Sequence, residues 1–116
     1  MSTTHFTNTD KKPSGIYNDG TYLYVGTAAG KIYKITIADE TTAVKAVLNE
    51  EITALVSDAT NLYIGTAKGR LLQQVISTSV ITTLEIFNSP ILSLGLNSTN
   101  LYVGLAGGDV RYKNLA

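Results

Sequence analysis

NLYIGTAKGRL (61–71) is one of three near-copies in this 116-residue chain. TYLYVGTAAGKI stands at 21–32 and NLYVGLAGGDV at 100–110. Leu23, Leu62 and Leu101 recur every 39 residues, and the tyrosines that follow them, Tyr24, Tyr63 and Tyr102, keep that spacing. So do Gly26, Gly65 and Gly104, and then Gly30, Gly69 and Gly108. Upstream, Ile16, Leu55 and Leu94 fall in register, as do Asp19, Asp58 and Asn97. A fixed period of this length over so many positions is the mark of stacked supersecondary units.

Working outward from the central copy, each unit reads as four short strands. ITALVS (52–57) is an apolar run, as expected of a strand buried on both faces. DATN (58–61) is a turn cluster, in which Asp58, like Asp19 in the first unit, is expected to bond the turn backbone. LYIGTA (62–67) is β-branched and aromatic. RLLQQVI (70–76) follows a Lys-Gly turn, and VITTLEIF (80–87) follows Ser-Thr-Ser. No apolar stretch holds the 3.6-residue period of a helix. The glycines at 30, 69 and 108 are expected at positive φ in the turn between second and third strands. A phosphate cradle there would need a helix to follow, and none does. Those at 26, 65 and 104 lie inside a strand, where glycine marks a bulge or a close approach of neighbouring backbone between units.

Four-stranded antiparallel units of about forty residues are the pattern of propeller blades. The string I-x-x-L-x-x-D-x-x-x-L-Y-I-G-T-A-x-G resembles β-propeller repeats over nearly the whole chain. It is closest to the blades of quinoprotein-like propellers and of the sensor propellers of two-component regulators. The resemblance implies an all-β fold of three blades, at 13–51, 52–90 and 91–116. The sequence has no tryptophan, so the tryptophan-containing motifs of some propeller families are missing. No cofactor site carries over, and a propeller fold alone does not name a function.

Closed propellers have about four to eight blades, so three leave apolar blade faces uncovered. The third unit stops after its third strand, DVRYKNL (109–115), while TTHFTNT (3–9) aligns within one residue with the fourth strands of the other two units. Residues 1–12 therefore read as a displaced outer strand. The expectation is a homodimer of C₂ symmetry, a six-bladed ring closed twice by this strand exchange, the velcro closure of propellers. The competing reading is a piece of a longer propeller.

The composition excludes more than it assigns. Nine basic residues balance nine acidic ones, giving no electrostatic case for nucleic acid or an anionic membrane. There is no cysteine, hence no disulfide framework and no thiolate zinc site. The N-terminal residues are polar and lack the apolar stretch of a signal peptide. His5 is the only histidine, and no catalytic set assembles around it. The chain is expected to be no enzyme. The loops leading into each blade, DKKP (10–13), NEEI (49–52) and NSPI (88–91), should gather at one mouth of the channel. Lys11 and Lys12 align there with Glu50 and Glu51, and Asn88 and Ser89 complete the rim. These six are the candidate ligand contacts; the plainer reading is surface charge pairing worth about 0–1 kcal/mol per pair. The functional expectation is a lectin-like or receptor-binding module taking a glycan or small ligand. The alternative is a structural or assembly subunit, or a minimal propeller, evolved or designed, with no ligand.

Overall fold

The computed structural model describes residues 12–115. Eleven strands form three antiparallel sheets in this span. The first holds β1 (Pro13–Asn18), β2 (Tyr22–Thr27), β3 (Lys31–Thr36) and β4 (Thr42–Val47). The second holds β5 (Ile52–Ser57), β6 (Asn61–Thr66), β7 (Arg70–Val75) and β8 (Ile81–Ile86). The third holds β9 (Ile91–Leu96), β10 (Asn100–Leu105) and β11 (Val110–Asn114). Within each sheet the strands follow chain order, each paired with the next. The outer strand expected over residues 3–9, His5 and the rim residue Lys11 lie outside the described residues.

The turns explain the punctuation of the sequence. Asp19 Oδ1 accepts the amides of Thr21 and Tyr22, Asp58 Oδ1 those of Thr60 and Asn61, and Asn97 Oδ1 those of Thr99 and Asn100. One side-chain oxygen thus satisfies two amides that the tight turn leaves unpaired. Gly30, Gly69 and Gly108 take φ of 93°, 85° and 96°, the region glycine enters without steric cost. The turns between third and fourth strands also need a left-handed residue, and Glu40 and Ser79 supply it.

The sheets stack face to face, with β1, β5 and β9 as neighbours in adjacent sheets. Blade 2 is the filling. Leu55, Leu62, Ile64 and Leu72 pack toward blade 1 against Tyr24 and Ile32. Ala54, Val56, Tyr63 and Leu71 pack toward blade 3 against Ile91, Leu101 and Val103. The alternation of strand side chains divides these sets between the two faces. The in-strand glycines mark a close approach between blades, but what approaches is a side chain rather than the expected backbone. Ile52 of the second blade lies over Gly26 of the first, and Ile91 of the third over Gly65 of the second.

The third blade breaks the pattern. Ile32 and Leu71 are 0% and 1% exposed, while Val110 at the same repeat position is 77% exposed. All five residues of β11 are exposed. Tyr24 and Tyr63 are buried, and Tyr102 is 37% exposed.

Candidate binding surface

The loops leading into the blades and the turns after their second strands do meet at one end of the stack. The carbonyls of Lys12, Glu51 and Pro90 accept the amides of Ala28, Ala67 and Ala106 at 2.9, 3.0 and 2.9 Å. Of the candidate rim residues, Lys12, Glu51 and Asn88 are exposed at this end, and Ser89 is half-buried. Ser89 Oγ accepts the amide of Gly107 at 3.1 Å.

Glu50 departs from the picture of an open rim. Its side chain is 5% exposed, and its Oε2 lies 2.6 Å from Arg70 Nη1 at the start of β7. Burial opposes ionisation of the carboxyl. Hydrogen bonds from Thr66 and Arg70, with the charges of Arg70 and Lys68, outweigh it and hold the group below the ordinary glutamate range. Thr66 Oγ1 in turn accepts the Arg70 amide at 3.1 Å. Glu50 therefore fastens the incoming loop to the blade it enters.

A concavity also lies between β8 of blade 2 and β11 of blade 3. A cleft of about 210 Å³ is walled by Leu71 and Val103 at its base, with Glu85, Phe87, Arg111 and Lys113 around it. It adjoins a larger hollow of about 360 Å³ that reaches Asn88, Ser89 and Asp109. Arg111 pairs with Asp109 at 3.3 Å, an exposed contact. At the blade 1–2 junction the corresponding outer groove is zipped shut. There Gln74 Nε2 donates to the Lys45 carbonyl at 3.1 Å, and Lys45 Nζ reaches the Ile76 carbonyl at 2.6 Å. Burial and the nearby Lys34 lower the pKa of that lysine. Leu84 stands where Lys45 would be, and cannot make the second bond. Arg111 and Lys113 stand where the other units carry Tyr33 or Leu72 and Ile35 or Gln74. That departure from the repeat is the signal by which the sequence could have pointed to the cleft.

Chemically, the cleft offers one carboxylate, two cations and the aromatic side chains of Phe87 and Tyr112, beside β11, the outermost strand of its sheet among the described residues. This suits contacts to an extended or polar partner. No group of three or more His, Cys, Asp or Glu side chains placed to hold a metal occurs among the described residues.

With the geometry in place, solved structures give the fold its name. A chain of the nidogen/laminin complex superposes with a TM-score of 0.83 at 20% identity, covering 95% of this chain and 46% of that one. The computationally designed Ika8 protein gives 0.78 at 20% identity, covering 89% and 33%. The Cps50 (Swd1) β-propeller domain of Myceliophteria thermophila gives 0.77 at 12% identity, covering 94% and 37%. These are β-propeller blades. The chain spans between a third and a half of each of these three propeller-like structures. At such identities the likeness establishes the blade fold and no activity. The sequence matches no protein-family model and no curated protein.

Proposed function

We propose that this chain is a self-associating half-propeller whose completed ring serves as a non-catalytic binding module. Two copies would give six blades, with residues 3–9 of each copy adding an outer strand at the β11 edge of the other. The observation that carries the reading is the exposure of Val110 at a repeat position buried in both other blades. Uncovered apolar area costs about 25 cal/mol per Å², so covering this face favours association. Among the described residues β11 is the outermost strand of its sheet, and an edge strand is a template for a partner strand. In the ring, the incoming loops and the blade 2–3 cleft offer polar surface for a glycan or small ligand, with Arg111, Lys113 and Glu85 as the contacts and Lys12 and Asn88 beside them.

Native mass spectrometry tests the assembly. The expected mass is about twice the 12.4 kDa of the chain; a folded monomer at micromolar concentration overturns it. A glycan-array screen of the assembled protein, with Arg111→Ala as control, tests the binding role. Glycan binding that the substitution removes supports it, and a clean negative leaves the protein as an assembly unit.

A further inference from the structure

We infer that the junction closing this ring is a glycine socket in which Pro13 of a second copy seats on Gly104. The inference rests on the ring reading above and adds the residues that make the contact.

Both internal junctions use the same device. A Cβ placed on Gly26 would lie 2.7 Å from Ile52 Cβ, and one placed on Gly65 would lie 2.5 Å from Ile91 Cγ2. Carbon atoms do not approach so closely, so each glycine leaves room that the next blade's isoleucine fills. Both isoleucines are 0% exposed. At Gly104 the same added atom would meet only its own blade, with Ser93 Oγ at 2.5 Å and Ser93 Cβ at 3.8 Å. Ser93 Oγ of the same blade takes the space over Gly104 that an isoleucine fills at the other two glycines, and no following blade lies there among the described residues. The 39-residue register names the missing knob: Pro13 stands where Ile52 and Ile91 stand in their units. Pro13 is exposed and opens β1, a place where a proline costs the ladder nothing.

A second feature of the same junction agrees. Gly30 is covered by the carbonyls of Leu48 and Glu50, and Gly69 by those of Phe87 and Ser89. The Leu48 and Phe87 amides donate to the Gly30 and Gly69 carbonyls at 2.7 and 2.8 Å. Among the described residues Gly108 has nothing within 4 Å of the corresponding position. The register assigns that cover to Thr9 and Lys11, on the same short segment that carries Pro13. The flanking surface agrees as well. Ile16 is 61% exposed on blade 1, where Leu55 at the same repeat position is 5% exposed against its neighbour. Each side of the closing junction thus exposes apolar groups that the internal junctions bury. The complement of blade 3 is written in this chain's own repeat, which commits the occupant to a second copy.

The test uses the full chain and sedimentation across a concentration series. Gly104→Val adds a branched side chain that meets only the flexible end of Ser93 in the free chain, and Pro13→Asp alters an exposed residue. Both variants should keep the parent circular dichroism. Each should raise the dimer dissociation constant about tenfold or more, as overfilling or charging a packed contact does. Pro13→Ile, which restores the side chain of the internal sockets, should dimerise at least as tightly as the parent. If Gly104→Val fails to fold, Pro13→Asp decides alone. A dimeric parent whose variants keep the parent constant overturns the socket and leaves the ring. A monomeric parent overturns both.

Discussion

Leu62 and Tyr63 are adjacent in sequence and belong to different cores. Leu62, 0% exposed, packs with Tyr24 and Ile32 of the first blade, and Tyr63, 2% exposed, packs with Leu101 and Val103 of the third. Two residues of one strand thus fasten blade 2 to both neighbours, and the Leu-Tyr pair of the central blade is blade-packing core.

Truncating Leu62 should therefore loosen the first junction. Leu62→Ala is expected to cost roughly 2–5 kcal/mol through the cavity it leaves. Tyr63→Phe keeps the buried ring and removes only the hydroxyl, for about 1 kcal/mol or less. Urea denaturation of the two variants measures the difference, and equal stabilities would contradict the core assignment.

Gly65→Ala should destabilise the chain although it adds a single methyl group. The new carbon would lie 2.5 Å from Ile91 Cγ2 and 3.1 Å from its Cβ. Neither Ile91 atom is the loose end of a flexible chain, so the blades must part, at about 1–3 kcal/mol. Thermal unfolding of this variant beside the parent is the check.

Acid should weaken the loop between blades 1 and 2. The Glu50 carboxyl lies below its unfolded value, so its contribution is complete above the ordinary glutamate range. It is lost as pH falls through the depressed folded value. Glu50→Gln should flatten the acid limb of a stability–pH profile measured by denaturation. Arg70→Ala leaves a carboxylate 5% exposed without its cation. Its cost should be about 1–3 kcal/mol near neutrality, less than for a fully buried pair because the Arg70 side chain is 38% exposed.

The strand-exchange register can be trapped chemically, since the chain has no cysteine. β3 pairs Ile32 with Ala46 and β7 pairs Leu71 with Glu85, each with the same register shift one residue on. The repeat then sets Thr7 of a second copy opposite Val110. Facing residues of antiparallel strands are about 4.5–5.5 Å apart, within disulfide reach. The double variant Thr7→Cys/Val110→Cys should oxidise to a covalent dimer on non-reducing gels. A covalently closed monomer would show the strand folding back on its own blade.

The repeat made much of this architecture readable beforehand. The period placed the strand order, the aspartate-led turns and the positive-φ glycines, because each depends on local chemistry written within a few residues. What escaped was set at longer range. Glu50 reads as a rim charge because its loop aligns with the one that carries Lys11 and Lys12, while the arginine that draws it inward comes twenty residues later. The left-handed turns at Glu40 and Ser79 carry no glycine to announce them. The cleft beside Arg111 is a failure of the repeat, and an eye trained on recurrence passes over the position that does not recur.

The socket between Gly26 and Ile52 has a bearing on how such a chain can change length. Its knob lies 26 residues after its hole, and the arrangement returns intact one unit later between Gly65 and Ile91. Copying or deleting one whole unit therefore joins a hole to a knob of the same shape, whereas any other insertion between a hole and its knob spoils the pair that spans it. The chain is in this sense ruled like a tape, open to growth by duplication and closed to growth by increments.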